Sequence, residues 1–343
     1  MKRDRVVVIG DGGWGTALAL KLIEAGVRVA LWSHSQASHA ELVRRRENTK
    51  YLPGVKLPEE LALCCDPFEA ADGAIAAVSA VPTQYLRSTV GRFEDALGGT
   101  VPIFSASKGL EMETLKRPTQ ILRELLGPRP LVVLTGPSHA EEVARGLPAS
   151  IVAASDDAAA AALAQRLFSH ARFRVYTNDD PLGAELAAAY KNVIALAAGI
   201  ADGLELGDNA KAALVSRGMV EAARFGRSAG ARVSTFFGLA GTGDVIATCF
   251  SRHSRNRRVG ERIGRGETLE AVLSGMTMVA EGVWTTRALF GPQHEARPQG
   301  LPIAEQVHAV LFEGAAPSRA VQALMERTPV GEMAGLGFEG ERS

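Results

Sequence analysis

Val6-Val7-Val8-Ile9-Gly10-Asp11-Gly12-Gly13-Trp14-Gly15-Thr16-Ala17 decides how this chain of 343 residues is read. A short apolar run leads into G-x-G-x-x-G, and an apolar stretch of helical character follows from Thr16. Between a strand and a helix the three glycines have separate tasks. Gly10 permits the tight turn, Gly12 lets the backbone approach a pyrophosphate, and Gly15 lets the helix pack against the strand, so that the helix N-terminus meets negative charge. A second strand-like run at 27–32 closes a β-α-β unit of about 30 residues. The bland alternative is a glycine-rich turn without a ligand. The order strand, loop, helix favours a dinucleotide.

Working outward, strand-like and helix-like segments alternate as far as about residue 178. Strands are expected at 6–9, 27–32, 74–79, 101–105, 131–134 and 150–153, with a late edge strand at 173–176. They are apolar almost throughout, as in a parallel sheet covered on both faces. The expected fold is an α/β Rossmann-type doubly wound parallel sheet domain, 1–178, followed by an all-α domain, 179–343. The boundary falls near Asn178-Asp179-Asp180-Pro181. Beyond it, segments such as 186–200, 210–225 and 301–312 have helical spacing, and a glycine-rich tail from about Val330 is expected to be mobile.

Composition narrows the function. With 46% hydrophobic and 22% charged residues and a formal net charge of zero, nothing global recruits nucleic acid or an anionic membrane. Cys64, Cys65 and Cys249 form no C-x-x-C pair and no metal-ligand spacing, so reduced thiols, a cytoplasmic protein and no metal are expected. The apolar run before Gly10 is too short for a signal-peptide core, and no run of about 20 uncharged apolar residues predicts a membrane span.

In an open α/β sheet, ligands lie beyond the carboxyl ends of the strands. Lys108, in Ser107-Lys108-Gly109, follows such an end and suits an anionic or carbonyl oxygen; a solvated loop lysine is the alternative. Only eight of the 38 basic residues are lysines, which mildly favours a chemical reason for this one. Gly136-Pro137-Ser138 ends another strand.

Lys191 is a stronger candidate. Its neighbours one helical turn away are Ala187, Ala188, Ile194 and Ala195, so it rises from a face of small residues, as a lysine in a cleft would. Desolvation there would push its pKa toward neutrality, which suits proton exchange; a snorkelling lysine at a helix edge is the alternative.

A third cluster runs from Gly241-Thr242-Gly243-Asp244 to Ser254-Arg255-Asn256-Arg257-Arg258. Its glycines suggest a turn, and Asp244 could simply cap the helix that follows. The local arginines fit a phosphate site better than a nucleic-acid surface, since no aromatic residue interleaves with them. A salt-bridged helix face remains open.

Taken together, these pieces resemble the NAD(P)-dependent glycerol-3-phosphate dehydrogenase family, bacterial type, over nearly the whole chain. They are G-x-G-x-W-G-T-A at 10–17, N-x-x-Y-L-P-G at 48–54 with L-P at 57–58, S-K-G-L-E at 107–111, G-P-S at 136–138, K-N-V at 191–193, G-T-G-D at 241–244, S-R-N-R at 254–257 and V-A-E-G at 279–282.

The resemblance implies reversible reduction of dihydroxyacetone phosphate to sn-glycerol 3-phosphate, supplying phospholipid synthesis. Lys191 would exchange the proton at the substrate's C2 oxygen, assisted by Lys108 and Asp244. Lys108, Gly136, Ser138, Lys191, Asp244, Ser254, Arg255 and Asn256 would contact the substrate. Gly10, Gly12, Gly13, Trp14 and Gly15, with His34, Lys108, Ala140, Arg255 and Glu281, would line the cofactor site. Two departures stand out: Asp11 occupies a spot where a small residue is usual, and Ala187-Ala188-Ala189-Tyr190 replaces a glycine-containing approach to the lysine.

An NAD-selective site places Asp or Glu at the end of the second strand, for the ribose 2′-hydroxyl. Here Trp32-Ser33-His34 stands there, no acid follows until Glu41, and Arg44-Arg45-Arg46 comes next. NADP is the expected preference, with NAD usable. Related two-domain dehydrogenases acting on 6-phosphogluconate or 3-hydroxyacids, and a non-catalytic dinucleotide sensor, are the rivals. The apolar helical segments are compatible with a homodimer.

Overall fold

The computed structural model describes residues 4–276, 278–291 and 300–337. The chain divides into two compact units, Met1–Lys108 with Arg117–Pro181, and Gly109–Lys116 with Leu182–Ser343. The short excursion Gly109–Lys116 thus belongs with the helical unit, where Leu110 joins the apolar core.

The first unit holds an eight-stranded sheet: β1 (Arg5–Ile9), β2 (Arg28–Trp32), β3 (Ala62–Cys64), β4 (Ala76–Ser79), β5 (Ile103–Ser105), β6 (Leu131–Thr135), β7 (Ala149–Ala154) and β8 (Phe173–Asn178), in the spatial order β3-β2-β1-β4-β5-β6-β7-β8. Alternate residues of β1 serve different layers: Val6 and Val8 join the core shared with helix Gly13–Glu24, while Val7 and Ile9 join a second core with Phe93, Ile121 and Leu122. Apolar side chains on both faces are what made the strands legible.

The sheet departs from the sequence reading in two ways. β3 was not expected; only Cys64 of its three residues is buried, so its composition carries little strand signal, and pairing with β2 defines it. β7 runs antiparallel to β6, whereas every other pair is parallel. The connection holds only the five-residue helix Ala140–Ala144. That helix packs on helix Gly13–Glu24 rather than crossing the sheet, so the chain returns alongside β6 in the opposite sense.

The strand order reverses between β1 and β4, and the glycine loop lies there. Gly10 adopts φ +109°, and a Cβ on it would come within 3.0 Å of the Ala80 carbonyl oxygen just past β4. Gly10 also donates its amide to the Trp32 carbonyl at 3.1 Å, tying the loop to the end of β2.

The helical unit is built round Pro181–Gly203, a 23-residue helix buried from Gly183 to Ala201. By length and hydropathy alone this helix and the segment Val233–Phe250 would suffice to cross a bilayer, each with mean hydropathy 1.3. The first is wholly enclosed by its neighbours, so its apolarity serves a protein core. Against it runs helix Arg255–Gly264 along a seam of glycines. A Cβ at Gly199 would lie 2.0 Å from the Arg257 carbonyl oxygen, and one at Gly260 would lie 2.0 Å from that of Leu196. Within the described part of the segment after Val330, Arg217 donates to the Glu332 carbonyl, Arg227 donates to the Gly335 carbonyl at 3.0 Å, and Leu336 is buried in the helical core.

Candidate active site

The glycine loop is shaped for close approach of a ligand. A Cβ at Gly15 would lie 2.0 Å from the Gly10 carbonyl oxygen, so only glycine lets helix Gly13–Glu24 start against the strand. At Gly12 a Cβ would meet nothing within 4 Å, which leaves open space over the backbone where a pyrophosphate has to come. No side chain caps this helix, and the buried Nε1 of Trp14 has no hydrogen-bond partner among the described residues. An anionic ligand at the helix N-terminus fits that arrangement.

Asn48, from the N-x-x-Y-L-P-G segment, braces the loop by donating to the Asp11 carbonyl and to Thr16 Oγ1, both at 2.8 Å. Composition assigned Asn48 no task, and its partners lie over 30 residues away. The Asp11 carboxylate accepts from the Ser38 hydroxyl. This polar partner engages the acid that stands where a small residue is usual.

His34 lies two residues beyond β2, at the same edge of the sheet. The Arg44-Arg45-Arg46 triplet is engaged elsewhere. Arg44 pairs with Glu41 at 2.6 Å, Arg45 also leans on Glu41, and Arg46 donates to the Leu61 carbonyl at 3.2 Å. Lys108 follows β5, and its carbonyl accepts from Thr83 Oγ1 at 3.0 Å. Gly136 turns sharply after β6 with φ +136°, Ser138 donates to its carbonyl at 2.8 Å, and Ala140 opens the next helix.

In the helical unit Lys191 and Asp244, 53 positions apart, are both buried, and Lys191 Nζ donates to Asp244 Oδ1 at 2.5 Å. Lys191 also donates to Thr248 Oγ1 at 2.9 Å, and the Thr248 hydroxyl donates to the Asp244 carbonyl at 2.6 Å. Thr248 escaped the sequence reading, although it lies one helical turn after Asp244 and so shares its face.

Asp244 is not a helix cap. Gly243 stands before helix Asp244–Phe250, preceded by a π-helical turn, Leu239–Gly243, where an ordinary turn was expected. A Cβ at Gly241 would fall 1.9 Å from the Phe236 carbonyl oxygen, so glycine lets that turn close. Beside the lysine, Cys249 is buried, and desolvation pushes its thiol up to about 12.

The arginine cluster divides by role. Ser254 caps helix Arg255–Gly264 by accepting from the Arg257 amide at 3.2 Å. Arg257 is structural, pairing with Asp202 at 2.6 Å, while Arg258 donates to the Arg252 carbonyl at 3.2 Å. Arg255 donates to the Val279 carbonyl at 2.9 Å. Asn256 links three elements: its Nδ2 donates to Asn192 Oδ1, and its Oδ1 accepts from the Gly282 amide, each at 2.9 Å. Glu281 opens helix Glu281–Phe290 next to that amide. Thus Lys191, Asp244 and Thr248 form one hydrogen-bonded set of the helical unit and Asn256, Asn192 and the Gly282 amide another, the two meeting at the chain neighbours Lys191 and Asn192; the sequence reading left out Asn192 and Thr248.

A nucleotide-binding sheet unit joined in one chain to a helical unit with a buried lysine and carboxylate is the build of a nicotinamide-dependent oxidoreductase. The family models agree: residues 5–161 match the N-terminal and residues 180–322 the C-terminal model of NAD-dependent glycerol-3-phosphate dehydrogenase. The chain belongs to this family. A glycerol-3-phosphate dehydrogenase [NAD(P)+] of Geobacillus thermodenitrificans is 47% identical over 96% of this chain and 97% of that protein. One from Chlorobium phaeobacteroides is 44% identical over 96% and 99%. The crystal structure of glycerol-3-phosphate dehydrogenase from Coxiella burnetii, 35% identical, superimposes with a TM-score of 0.89 over 95% of this chain and 99% of its own.

Proposed function

We propose that the chain interconverts dihydroxyacetone phosphate and sn-glycerol 3-phosphate, using NADPH by preference and NADH as well. The observation that carries this reading is the buried Lys191–Asp244 pair beside the Arg255–Asn256 helix start. When bound, the nicotinamide supplies the hydride that C2 of the ketone accepts.

Lys191 gives its proton to the C2 oxygen as the alkoxide forms and takes it back in the reverse direction. Asp244 and Thr248 orient the ammonium. Lys108 polarises the carbonyl and offsets negative charge. Arg255 and Asn256 hold the phosphate with Ser254 beside them, so that binding energy far from C2 positions the reacting carbon. Gly136 and Ser138 contribute substrate contacts. Gly13, Trp14, His34, Ala140 and Glu281 serve the dinucleotide.

The preference for NADPH is supported by the absence of an acid among residues 32–40 at the end of β2. Use of the product in phospholipid synthesis is the proposed physiological role.

The test is absorbance at the NADPH band on mixing protein, NADPH and dihydroxyacetone phosphate, then again with NADH. A fall that requires the phosphorylated ketone supports the reaction, and the ratio of rates gives the preference. Cofactor binding with no fall in absorbance overturns it in favour of a sensor.

A further inference from the structure

Arg92 lies 58 positions from His34, in the short helical turn Gly91–Phe93, yet its side chain reaches the carboxyl end of β2. Its Nη1 donates to the His34 carbonyl at 3.2 Å and lies 3.4 Å from His34 Nδ1. Its Cζ stands 4.8 Å from the centre of the Trp32 ring.

That platform is rigid. Trp32 is fully buried and donates its indole N–H to the Cys65 carbonyl at 3.0 Å. Phe93, next to Arg92 in the chain, packs edge-on against the Trp32 ring with centroids 5.1 Å apart. The guanidinium is therefore positioned by stacking and by its neighbour's burial, with little rotamer freedom left to lose when a ligand arrives. Both contacts to His34 use Nη1 alone. Arg92 is exposed, and among the described residues its other guanidinium nitrogens make no hydrogen bond. Where Nδ1 of His34 accepts from Arg92, Nε2 carries the ring proton and becomes a second donor.

The location gives the chemistry. Gly10 donates to the Trp32 carbonyl, so the pyrophosphate loop and the end of β2 adjoin, and a dinucleotide seated on that loop brings its adenosine ribose to the end of β2. An NAD-selective site puts a carboxylate there. In this chain the nearby acid, Asp11, accepts from Ser38, and the side chain that reaches the end of β2 is the cation Arg92.

We propose that Arg92, braced by Trp32 and His34, binds the 2′-phosphate of NADP and sets the cofactor preference. This rests on the dinucleotide reading above and goes beyond it by assigning the selectivity to a residue outside the loop and outside β2. Arginine suits the task because its fork grips two phosphate oxygens at once.

The experiment is isothermal titration of the whole protein with NADPH, NADH, 2′,5′-ADP and 5′-ADP, for the wild type, Arg92→Ala and Arg92→Lys. Arg92→Ala should weaken NADPH and 2′,5′-ADP by about 10- to 100-fold and leave NADH and 5′-ADP within about twofold. Arg92→Lys should fall between, since a point charge replaces the fork. If the wild type binds NADPH while Arg92→Ala leaves the NADPH-to-NADH ratio unchanged, the assignment is wrong and the dinucleotide reading stands. Equal weakening of NADPH and NADH also overturns it, since Arg92 would then serve the fold or the adenine. If the wild type binds neither dinucleotide, both readings fall together.

Discussion

Lys191 Nζ meets Asp244 Oδ1 at 2.5 Å across two helices of one unit, with Thr248 Oγ1 2.9 Å from the same nitrogen. A buried ammonium thus has both a counter-charge and a neutral partner before any substrate arrives. Removing the lysine takes the counter-charge away from a buried carboxylate, so two effects are expected at once. Lys191→Met should lower kcat by about 10²- to 10⁴-fold and destabilise the helical unit by about 3–5 kcal/mol. Steady-state kinetics and denaturant unfolding measure the two separately. Near wild-type turnover in this variant would sink the assignment.

Thr248→Val keeps the shape but removes the hydroxyl that links Lys191 to the Asp244 carbonyl. We expect kcat to fall about tenfold with KM little changed, the effect of losing one hydrogen bond to a charged group. Thr248→Ser should restore most of it. An unchanged kcat for valine would show that Asp244 alone orients the lysine.

Asn256→Ala strands both the Gly282 amide and Asn192. KM for the phosphorylated ketone should rise about tenfold or more, and thermal stability should drop by about 1–3 kcal/mol from the orphaned groups. A loss of stability with no change in KM would make Asn256 purely structural.

Gly15→Ala and Gly12→Ala separate folding from binding. The first puts a methyl 2.0 Å from the Gly10 carbonyl and should cost about 1–3 kcal/mol or more. The second puts a methyl into open space, so the melting temperature should hold while dinucleotide affinity falls. Unaltered affinity in a folded Gly12→Ala protein would count against the loop as the pyrophosphate site.

The thiols make a pH prediction. Burial raises Cys249 from 9.0 to about 12 and Cys64 from 9.0 to about 11. Both folded values lie above the unfolded one, so the unfolded chain releases these protons first. Their contribution is intact below about pH 9 and is lost as pH climbs through 11 to 12. Denaturant midpoints should therefore decline above about pH 9, and at pH 8 a thiol reagent should label at most Cys65 in the native protein and all three cysteines after unfolding. Rapid labelling of Cys249 at pH 8 in the folded protein would contradict its burial.

Where the determinants are local, the sequence was readable. The glycine loop declares itself because each glycine answers a steric demand within a few residues, and the seat of Lys191 follows from its neighbours one turn away. β3 and the reversed β7 were not readable, since the one exists through pairing and the other takes its direction from how its connection packs. Asp11 beside Ser38, Asn48 beneath the glycine loop and Arg92 above Trp32 are meetings of distant segments. The family resemblance named Asp244 and Asn256, but the uses of Asn192 and Thr248 needed the fold. The split between Arg255 and Arg257 needed it too, because composition alone cannot say which of two neighbouring arginines finds Asp202.

The glycines joining Pro181–Gly203 to Arg255–Gly264 have a consequence for how this site can vary. Main chain touches main chain at Gly199 and Gly260, so the interval between the lysine proposed to carry the proton and the residues proposed to hold the phosphate is a fixed gauge cut in peptide backbone. Side chains elsewhere in the helical core can drift in size, as cores allow, without rescaling that interval. A single methyl added along the gauge would rescale it at once.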